Sequence, residues 1–353
     1  MAEKRSIRSL IKRLLVTVIL VGSAVFAISP APYVIEMPGP VFNALGSLGD
    51  KQIVTVVGAK TYATDGQFDV LTVQTRGTPE GKPSWVEVLL AMMNSDVKVV
   101  PIDEIYPPGS TQKDQEQETT RMMLDSQRDA IAVALKHQGY KFDTYVSVDS
   151  IRKPSPATSK LKVDDRITKV NGDPVSFYED ITSRIKASNG NPVSIEVLRD
   201  GKTKTYEITP VKDDDGTYRI GIFVGYRYDF PIDVKLYLGD VTGPSAGLMF
   251  SLSILDKMTP GSLNGSNHIA GTGTISPTGE VGAIGGIQLK MIAAKQAGAQ
   301  YFLAPKSNCD EVVGHVPSGL VVHAVDTFED ALAFLSDLEQ GIPVSPTLNC
   351  PVK

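Results

Sequence analysis

Cysteine, tryptophan and histidine are scarce in this chain. Its 353 residues contain two cysteines, one tryptophan and four histidines. The histidines are His137, His268, His315 and His323. None of them is spaced as in H-E-x-x-H, and neither cysteine has paired histidines nearby, so the common zinc-ligand patterns are absent. We therefore expect no metal and no cofactor, and we interpret the histidines as structural or surface residues.

The sequence also lacks a basic stripe and a phosphate-binding loop. Apart from five basic residues near the N-terminus and Glu3, 30 basic and 39 acidic residues remain. Such a body has little with which to neutralise phosphates, so nucleic acid is not expected as a partner. No G-x-x-x-x-G-K-[ST] motif occurs; the stretch 77–84 fails in spacing and carries Pro83 where free N–H groups are needed.

One long apolar run lies near the N-terminus. No charge occurs from Leu14 to Ile35, and the preceding basic residues are Lys4, Arg5, Arg8, Lys12 and Arg13. These 22 uncharged residues could span a bilayer core of about 30 Å as a helix, although Pro30 and Pro32 favour an earlier end. The positive-inside rule then predicts a cytoplasmic N-terminus and a body outside the cell. Two interpretations stay open: an uncleaved signal anchor, and a signal peptide cleaved near Ala27.

The two cysteines fall in the part predicted to lie outside the cell, where disulfides persist. A bridge between Cys309 and Cys350 would tie down the C-terminal tail and contribute about 3–4 kcal/mol. Two unpaired thiols are the alternative. A third interpretation makes Cys309 a nucleophile near His315, but an oxidising compartment favours the bridge.

The rest of the chain is long enough for two domains. Short alternating runs in 47–81 predict strands, and residues 83–100 predict a helix followed by an extended segment. The polar stretch Thr111–Thr119 predicts a surface loop. Apolar residues recur at helical spacing from Thr120 to Lys136, and Gly139 can cap that helix.

Residues 140–212 carry a different pattern. A β run at Tyr145–Val148 precedes LKVDDRITKVNG, a helix near Tyr178–Ala187, and two strands joined at Asp200-Gly201, a strong hairpin signal. This stretch resembles a PDZ domain of the bacterial protease-associated form. The resemblance implies binding of an extended peptide, often a free C-terminus, beside a sheet edge. It places the carboxylate-binding loop near Tyr140–Val146.

A serine stands between small residues directly before an apolar helix at Leu248–Leu255. The segment reads DVTGPSAG, and its serine is Ser245. Small neighbours let a substrate backbone approach, and amides near Ser245 and Ala246 can point at a developing oxyanion. The alternative is a helix-capping serine without chemistry.

A lysine in the segment GGIQLKMIAAKQAG has small apolar neighbours. At about 100° per residue, Lys290 shares one helix face with Ile287, Met291, Ala293, Ala294 and Ala297. Burial there would lower the pKa of the lysine, and a neutral amine is what a serine nucleophile needs as its general base. The alternative is a lysine whose stem lies along an apolar face while its amine reaches water.

Together these two segments resemble the proteolytic domain of Lon-type serine proteases, from about Val234 to Leu335. Ser245 matches the serine of the GPSAG element, and Lys290 matches the lysine four residues after a GG pair. The resemblance implies a Ser–Lys dyad. It also places Thr272, in AGTGT, where a threonine hydroxyl contacts the catalytic lysine.

Two positions depart from the family pattern. Thr242 and Thr274 stand where acidic residues often occur, and a less acidic pocket favours a neutral lysine. Because no ATP-binding motif is present, the chain resembles the membrane-anchored, PDZ-containing, ATP-independent Lon-like proteases of Gram-positive bacteria.

The predicted fold class is α+β, with an N-terminal transmembrane helix and a Lon-type proteolytic domain into which a PDZ domain is inserted. The predicted divisions are 1–46 for the cytoplasmic tip, anchor helix and juxtamembrane segment, 47–139 for the first part of the protease domain, 140–215 for the PDZ domain, 216–343 for the second part with the catalytic residues, and 344–353 for the tail.

We therefore expect a membrane-anchored, extracytoplasmic, ATP-independent serine endopeptidase. In it, Lys290 takes the proton from Ser245 and an acyl-enzyme is then hydrolysed. The expected partners are unfolded proteins or peptides, C-termini at the PDZ domain, the membrane at the N-terminal helix and, by resemblance, further copies of the chain. The alternative from another class is a membrane-tethered PDZ scaffold whose protease fold is inactive.

Overall fold

The computed structural model describes residues 2–213, 215–342 and 350, with side chains from residue 12 onward. Its helices are α1 (Ala2–Ile28), α2 (Trp85–Met92), α3 (Ile102–Ile105), α4 (Gln112–His137), α5 (Tyr178–Ala187), α6 (Gly247–Met258), α7 (Ile287–Gln296), α8 (Cys309–Val312) and α9 (Phe328–Glu339), with a 3₁₀ turn at Lys306–Asn308. Except for Cys350, the predicted tail 344–353 lies outside the described residues.

The strands are β1 (Tyr33–Asn43), β2 (Ser47–Leu48), β3 (Lys51–Gln52), β4 (Val54–Val57), β5 (Gln67–Arg76), β6 (Lys98–Pro101), β7 (Thr144–Ile151), β8 (Arg166–Val170), β9 (Asp173–Pro174), β10 (Val193–Arg199), β11 (Lys202–Ile208), β12 (Val211–Lys212), β13 (Tyr218–Arg219), β14 (Ile222–Tyr228), β15 (Asp233–Leu236), β16 (His268–Gly271), β17 (Thr274–Ile275), β18 (Val281–Gly282), β19 (Tyr301–Pro305) and β20 (Val321–Val325).

A six-stranded mixed sheet organises the larger part of the molecule, in the order β20-β19-β16-β5-β1-β6. The four strands β20, β19, β16 and β5 are parallel neighbours, whereas β1 is antiparallel to both β5 and β6. Side chains alternate between the two faces of a strand. Ile269 therefore joins the core formed with α4, α6 and α9, while Ala270 joins the core formed with α7.

Helix α6 is almost entirely buried, because most of its residues are apolar. Its two internal serines satisfy their hydroxyls within the helix. Ser251 Oγ donates to the carbonyl of Gly247, and Ser253 Oγ donates to the carbonyl of Met249. The burial fixes the start of the helix, directly after the loop that carries Ser245.

Strand β1 corrects the predicted first division. Residues up to 46 were expected to form a juxtamembrane segment, yet Tyr33–Asn43 pairs with strands on both sides in the main sheet. Its prolines do not prevent this, because the register between β1 and β5 shifts between Pro38 and Val41. Such an irregularity accommodates residues that lack an N–H donor.

The N-terminal helix ends close to the point that Pro30 and Pro32 predicted. Helix α1 ends at Ile28, and the chain enters strand β1 at Tyr33. The uncharged residues within the helix, Leu14–Ile28, therefore rise only about 22 Å, against about 30 Å for a bilayer core. In the portion of the chain given above, no helix has the length and apolar character needed to cross a membrane. The predicted transmembrane helix is not confirmed.

The polar stretch at the start of α4 corrects a second expectation. Residues Thr111–Thr119 were predicted as a loop, but the helix begins at Gln112. Thr111 caps it: its hydroxyl accepts from the amide of Asp114, whose carboxylate accepts from the amide of Thr111. The first turns of this helix are exposed, so they carry no apolar periodicity.

A second, antiparallel sheet forms the PDZ-like part, in the order β11-β10-β8-β7-β14. The predicted hairpin at Asp200-Gly201 is confirmed, with φ of +51° and +71° as a type I′ turn requires. Helix α5 matches the predicted Tyr178–Ala187. Strand β14 belongs to this sheet, so the unit extends to Tyr228 rather than ending at 215.

Helix α4 connects the two parts of the molecule. The hydroxyl of Tyr228, at the end of β14, donates to the carboxylate of Asp129 on α4. Arg227 pairs with Asp149 of β7 and lies 3.5 Å from the carboxylate of Asp125 on α4. Desolvation raises the pKa of Asp129 to about 6, because this contact is largely closed to water.

Candidate active site

Ser245 lies in the loop that leads into α6, and two contacts from α4 hold this loop. The amide of Gly243 donates to the carbonyl of Thr119 over 3.1 Å. The hydroxyl of Ser126, which is 6% exposed, donates to the carbonyl of Pro244 over 2.7 Å. Gly243 has φ of +97°, a conformation that favours glycine. The residue immediately before Ser245 is therefore fixed from outside its own loop.

Lys290 projects from the first turn of α7, which begins after a left-handed glycine. Gly286 has φ of +69°, and a Cβ there would lie 2.8 Å from Cγ2 of Val73. Only glycine fits both the backbone conformation and the close approach of β5. This turn brings the Nζ atom of Lys290 to 2.7 Å from Ser245 Oγ.

Thr272 is the third member of the cluster. It follows strand β16, is 1% exposed, and places its Oγ1 atom 3.1 Å from Lys290 Nζ. The hydroxyl donates to the backbone carbonyl of Ser245 over 3.0 Å, so its oxygen can accept from the amine. The amide of Gly273 donates to the same carbonyl. The structure thus brings together Ser245, Lys290 and Thr272, as the sequence predicted.

Burial dominates the electrostatics of the lysine. Lys290 is 3% exposed, and desolvation lowers its pKa to about 7. Among the described residues that line the adjoining cavity, Asp240 is the only other charged one. Near neutral pH a substantial fraction of the amine is therefore uncharged.

Ala246 lies directly after Ser245 and is 5% exposed. The next two amides already have acceptors: Gly247 donates to the carbonyl of Pro244, and Leu248 donates to the carbonyl of Gly273. The amide of Ala246 donates to no acceptor among the described residues. It is the donor beside Ser245 that can serve a ligand.

A cavity of about 790 Å³ opens beside the three side chains. The middle of strand β5, Leu71–Gln74, forms one wall, and the loop from Leu238 to Ser245 forms the opposite wall. Phe42, Leu48 and Val241 make the floor largely apolar. An extended chain can lie in this cavity with a carbonyl next to Ser245.

The PDZ-like part has a second cavity, of about 720 Å³, between α5 and β14. Ile181 and Ile185 of α5 face Ile222 and Val224 across it. The predicted carboxylate loop near Tyr140–Val146 is wrong, because β7 is paired on both sides in the sheet. The edge strand that lines the cavity beside α5 is β14.

The loop that enters β14 has the features of an anion site. Gly221 has φ of +76°, and a Cβ there would lie 2.3 Å from Cβ of Ser155. Five basic side chains line the same cavity: Arg152, Lys153, Lys186, Lys212 and Arg219. Asp213 lines it too and pairs with Arg152 and Arg219, so the lining keeps an excess of positive charge. The motif Arg219-Ile220-Gly221-Ile222, a glycine between two isoleucines at the start of an extended run, was the sequence signal that could have located this loop.

The remaining candidates are structural in this arrangement. Cys309 and Cys350 are joined in a disulfide, so Cys309 has no free thiol to act as a nucleophile. His268 pairs with the buried Asp69, and His323 stacks on Phe334. The described residues contain no group of three or more His, Cys, Asp or Glu side chains that could hold a metal ion.

Two supporting residues were missed by sequence reasoning. Ser126 contacts the Ser245 loop from α4, and Asn308 contacts the segment before α7. Ser126 lies in a helix whose sequence is largely polar, and no sequence feature sets it apart from the exposed residues of that helix. Asn308 precedes Cys309, and its position after a buried strand was the available signal.

Comparisons with known proteins find the same two kinds of domain, and the PDZ match begins within α4 and ends before β14. Residues 232–336 match the Lon protease C-terminal proteolytic domain, and residues 123–209 match the PDZ domain. The Lon protease of Treponema pallidum is 38% identical over 99 residues, covering 26% of this chain and 10% of that protein. The Lon protease of Campylobacter concisus is 34% identical over 144 residues, covering 39% of this chain and 18% of that protein.

A solved PDZ domain of an SdrC-like protein from Listeria monocytogenes is 27% identical, covering 23% of this chain and 86% of that structure with a TM-score of 0.22. The chain spans less than a fifth of the length of the two Lon proteases. The two family matches give the chain a Lon-type proteolytic domain and a PDZ domain, and together with the Lon protease relatives they support its assignment as a peptidase.

Proposed function

We propose that this chain is an ATP-independent serine endopeptidase that uses Ser245 as nucleophile and Lys290 as general base. The distance of 2.7 Å between Lys290 Nζ and Ser245 Oγ carries the proposal. It lies within the range for proton transfer between two heavy atoms. The lowered pKa of the lysine supports the same roles, because only the neutral amine can accept the proton.

The proposed reaction has two stages. The Ser245 hydroxyl passes its proton to Lys290 while Oγ bonds to the carbonyl carbon of a peptide. The tetrahedral intermediate collapses, the C–N bond breaks, and Lys290 returns the proton to the leaving amine. A water molecule, deprotonated by the again neutral Lys290, then attacks the acyl ester, and the carboxylic acid product leaves with Ser245 regenerated.

We assign the oxyanion position to the amide of Ala246. This amide is adjacent to the nucleophile and donates to no described acceptor. An unpaired N–H fixed by a buried helix start stabilises developing negative charge without reorganisation. Thr272 serves as a positioning residue, because it holds both the amine and the Ser245 carbonyl.

Independence from ATP is part of the proposal. The 353 residues contain no phosphate-binding loop, so they offer no recognised site for ATP hydrolysis. Cleavage of an unfolded substrate, such as reduced and alkylated casein, should proceed at the same rate with and without ATP and Mg²⁺. A requirement for ATP would contradict this part.

The central experiment compares the purified chain with its Ser245→Ala variant on the same unfolded substrate. We expect cleavage by the parent protein and none above background by the variant. Equal cleavage by both proteins would overturn the proposal. Absence of cleavage by both, with peptide binding retained, would favour the alternative of a peptide-binding scaffold.

We propose that the PDZ-like part binds an extended peptide beside β14, with its terminal carboxylate at the Gly221 loop. The edge strand β14, the apolar side chains of α5 and the excess of basic over acidic side chains in the cavity lining support this placement. A fluorescent peptide with a free C-terminus should bind more tightly than its amidated form. Phe223→Ala, which removes an exposed groove residue, should weaken binding, whereas the exposed Phe177→Ala outside the groove should not.

We further propose that the protein works outside the cytoplasm and as a homo-oligomer. The disulfide between Cys309 and Cys350 supports an oxidising compartment. Mass spectrometry of the native protein should find the two cysteines joined, and free thiols would contradict this location. Light scattering should give a mass above that of one chain, and a monomer at micromolar concentration would contradict the oligomer.

A further inference from the structure

Asn308 makes a two-point contact with the segment that leads into α7. Its Oδ1 atom accepts from the amide of Ile284 over 3.0 Å, and its Nδ2 atom donates to the carbonyl of the same residue over 2.9 Å. Asn308 is 3% exposed. One side chain therefore pairs with both polar backbone groups of Ile284, as a neighbouring strand would.

Ile284 stands two residues before the left-handed Gly286. The carbonyl of Gly286 accepts from the amide of Lys290, closing the first turn of α7. A displacement at Ile284 therefore moves the start of the helix from which Lys290 projects. A shift of about 1 Å in a catalytic group is enough to cost a large factor in rate.

The segment that carries Asn308 is itself fixed. It follows β19, and the carbonyl of Leu303 in that strand accepts from the amide of Thr272. The next residue, Cys309, is held by the disulfide, and the carbonyl of Glu311 accepts from Gln288 of α7. The segment 303–311 therefore holds both Thr272 and the start of α7 in place.

We propose that Asn308 is a positioning residue for Lys290, acting through Ile284 and the Gly285–Gly286 turn to hold the amine against Ser245. This inference rests on the proposed Ser–Lys mechanism. Asn308 is not among the residues that line the substrate cavity, and its contribution is the placement of α7.

Loss of the asparagine should affect the amine in two ways. Without the two hydrogen bonds, the turn before α7 samples positions in which Nζ lies farther from Ser245. Water then reaches the amine more often, and the pKa of Lys290 rises from about 7 toward the ordinary value for lysine. A purely structural role would lower thermal stability without changing this titration.

The test compares full-length Asn308→Ala with Asn264→Ala. Asn264 is the matched control, because it is 0% exposed and accepts hydrogen bonds from Ser262 and Ser266 in a turn after α6. We expect Asn308→Ala to lower kcat by about tenfold or more with little change in KM. The acidic limb of its pH–rate profile should move upward by about one pH unit. The control should change thermal stability only.

A direct titration separates this inference from the proposed function. In protein labelled with ¹³C-lysine, the Lys290 side-chain resonance, assigned by its loss in Lys290→Met, reports the pKa without any catalysis. An upward shift in Asn308→Ala but not in Asn264→Ala supports the inference even if no substrate is cleaved. An unchanged Lys290 titration and kcat in Asn308→Ala would overturn it. If the alanine variant does not fold, Asn308→Leu fills the same space without either hydrogen bond and decides by the same readouts.

Discussion

The Nζ atom of Lys290 lies 2.7 Å from the Oγ atom of Ser245, although the two residues are 45 positions apart in the chain. Because burial lowers the pKa of Lys290 to about 7, the neutral amine predominates above that pH and the ammonium below it. We predict that kcat/KM on a short fluorogenic peptide rises through about pH 7 and then levels off. Lys290→Arg should stay inactive up to pH 9, since the guanidinium is not deprotonated there. A profile that falls through pH 7 would contradict the assignment.

Thr272→Val removes the hydroxyl that joins the amine to the Ser245 carbonyl. We expect kcat to fall by about 10–100-fold, which corresponds to about 1.4–2.7 kcal/mol for the lost hydrogen bonds. Thr272→Ser keeps the hydroxyl and should recover most of the activity. Steady-state kinetics with thermal melting on all three proteins checks this. Equal activity in the valine and serine variants would show that the hydroxyl is dispensable.

Ser126→Ala removes the contact between α4 and the Pro244 carbonyl. The expected result is a decrease in kcat of about tenfold, because a loop tethered by one fewer hydrogen bond holds Ser245 less well. Ser253→Ala is the matched control, since this buried serine donates only to a carbonyl within α6. If both variants lose the same small amount of activity, Ser126 has no special link to the Ser245 loop.

The buried carboxylate of Asp256 should make the free energy of unfolding depend on pH. It is 0% exposed on α6, its Oδ1 accepts from the amide of Leu263, and its Oδ2 has no partner among the described residues. Desolvation raises its pKa to about 6. The folded state thus holds this proton more tightly than the unfolded state, and the contribution to stability is lost as pH rises from about 4 through about 6.

Asp256→Asn should therefore increase the free energy of unfolding at pH 8 by about 2–3 kcal/mol and leave it nearly unchanged at pH 4. Urea unfolding at both pH values measures this difference. The exposed Asp103→Asn should show no such change. A variant that is less stable than the parent at pH 8 would contradict the prediction.

The disulfide between Cys309 and Cys350 closes a loop with a sequence separation of 41. In the chain-entropy treatment, its removal costs about 4 kcal/mol, so reduction should lower Tm by several degrees. The double variant Cys309→Ala, Cys350→Ala should show the lower Tm without reductant and no further loss with it. A Tm insensitive to reductant in the parent protein would show that the bridge does not contribute to stability.

The sequence predicted the structure best where residues close together in the chain determine it, as in the active-site motifs and the tight turn. Ser245 was predicted from its small neighbours before an apolar helix and Lys290 from the small apolar residues on its helix face, whereas Thr272 was placed with them by the resemblance to Lon-type proteases. The hairpin at Asp200-Gly201 followed from turn chemistry alone. Residues whose role depends on tertiary contact carried no such signal, and Ser126 is the example, since its partner Pro244 is 118 positions away.

The errors have physical reasons as well. The start of α4 was read as a loop because an exposed helix has no apolar periodicity, although the Thr111 cap was present in the sequence. Strand β1 was missed because Pro38 and Pro40 oppose a regular strand, and a register shift accommodates them. The peptide loop was placed before β7 because sequence alone does not say which strand ends at the edge of a sheet. The apolar N-terminal run was read as spanning from its 22 uncharged residues, although Pro30 and Pro32 already indicated that the helix ends near Ile28, where α1 ends.

The chain enters and leaves the PDZ-like sheet at neighbouring residues. Thr144 at the start of β7 pairs with Tyr228 at the end of β14, and the amide of Asp229 donates to the carbonyl of Asp143. The inserted unit therefore occupies the position of a single tight turn in the host fold. Such a unit can be exchanged or lost without rerouting the chain of the protease part, because both of its ends meet at one pair of residues.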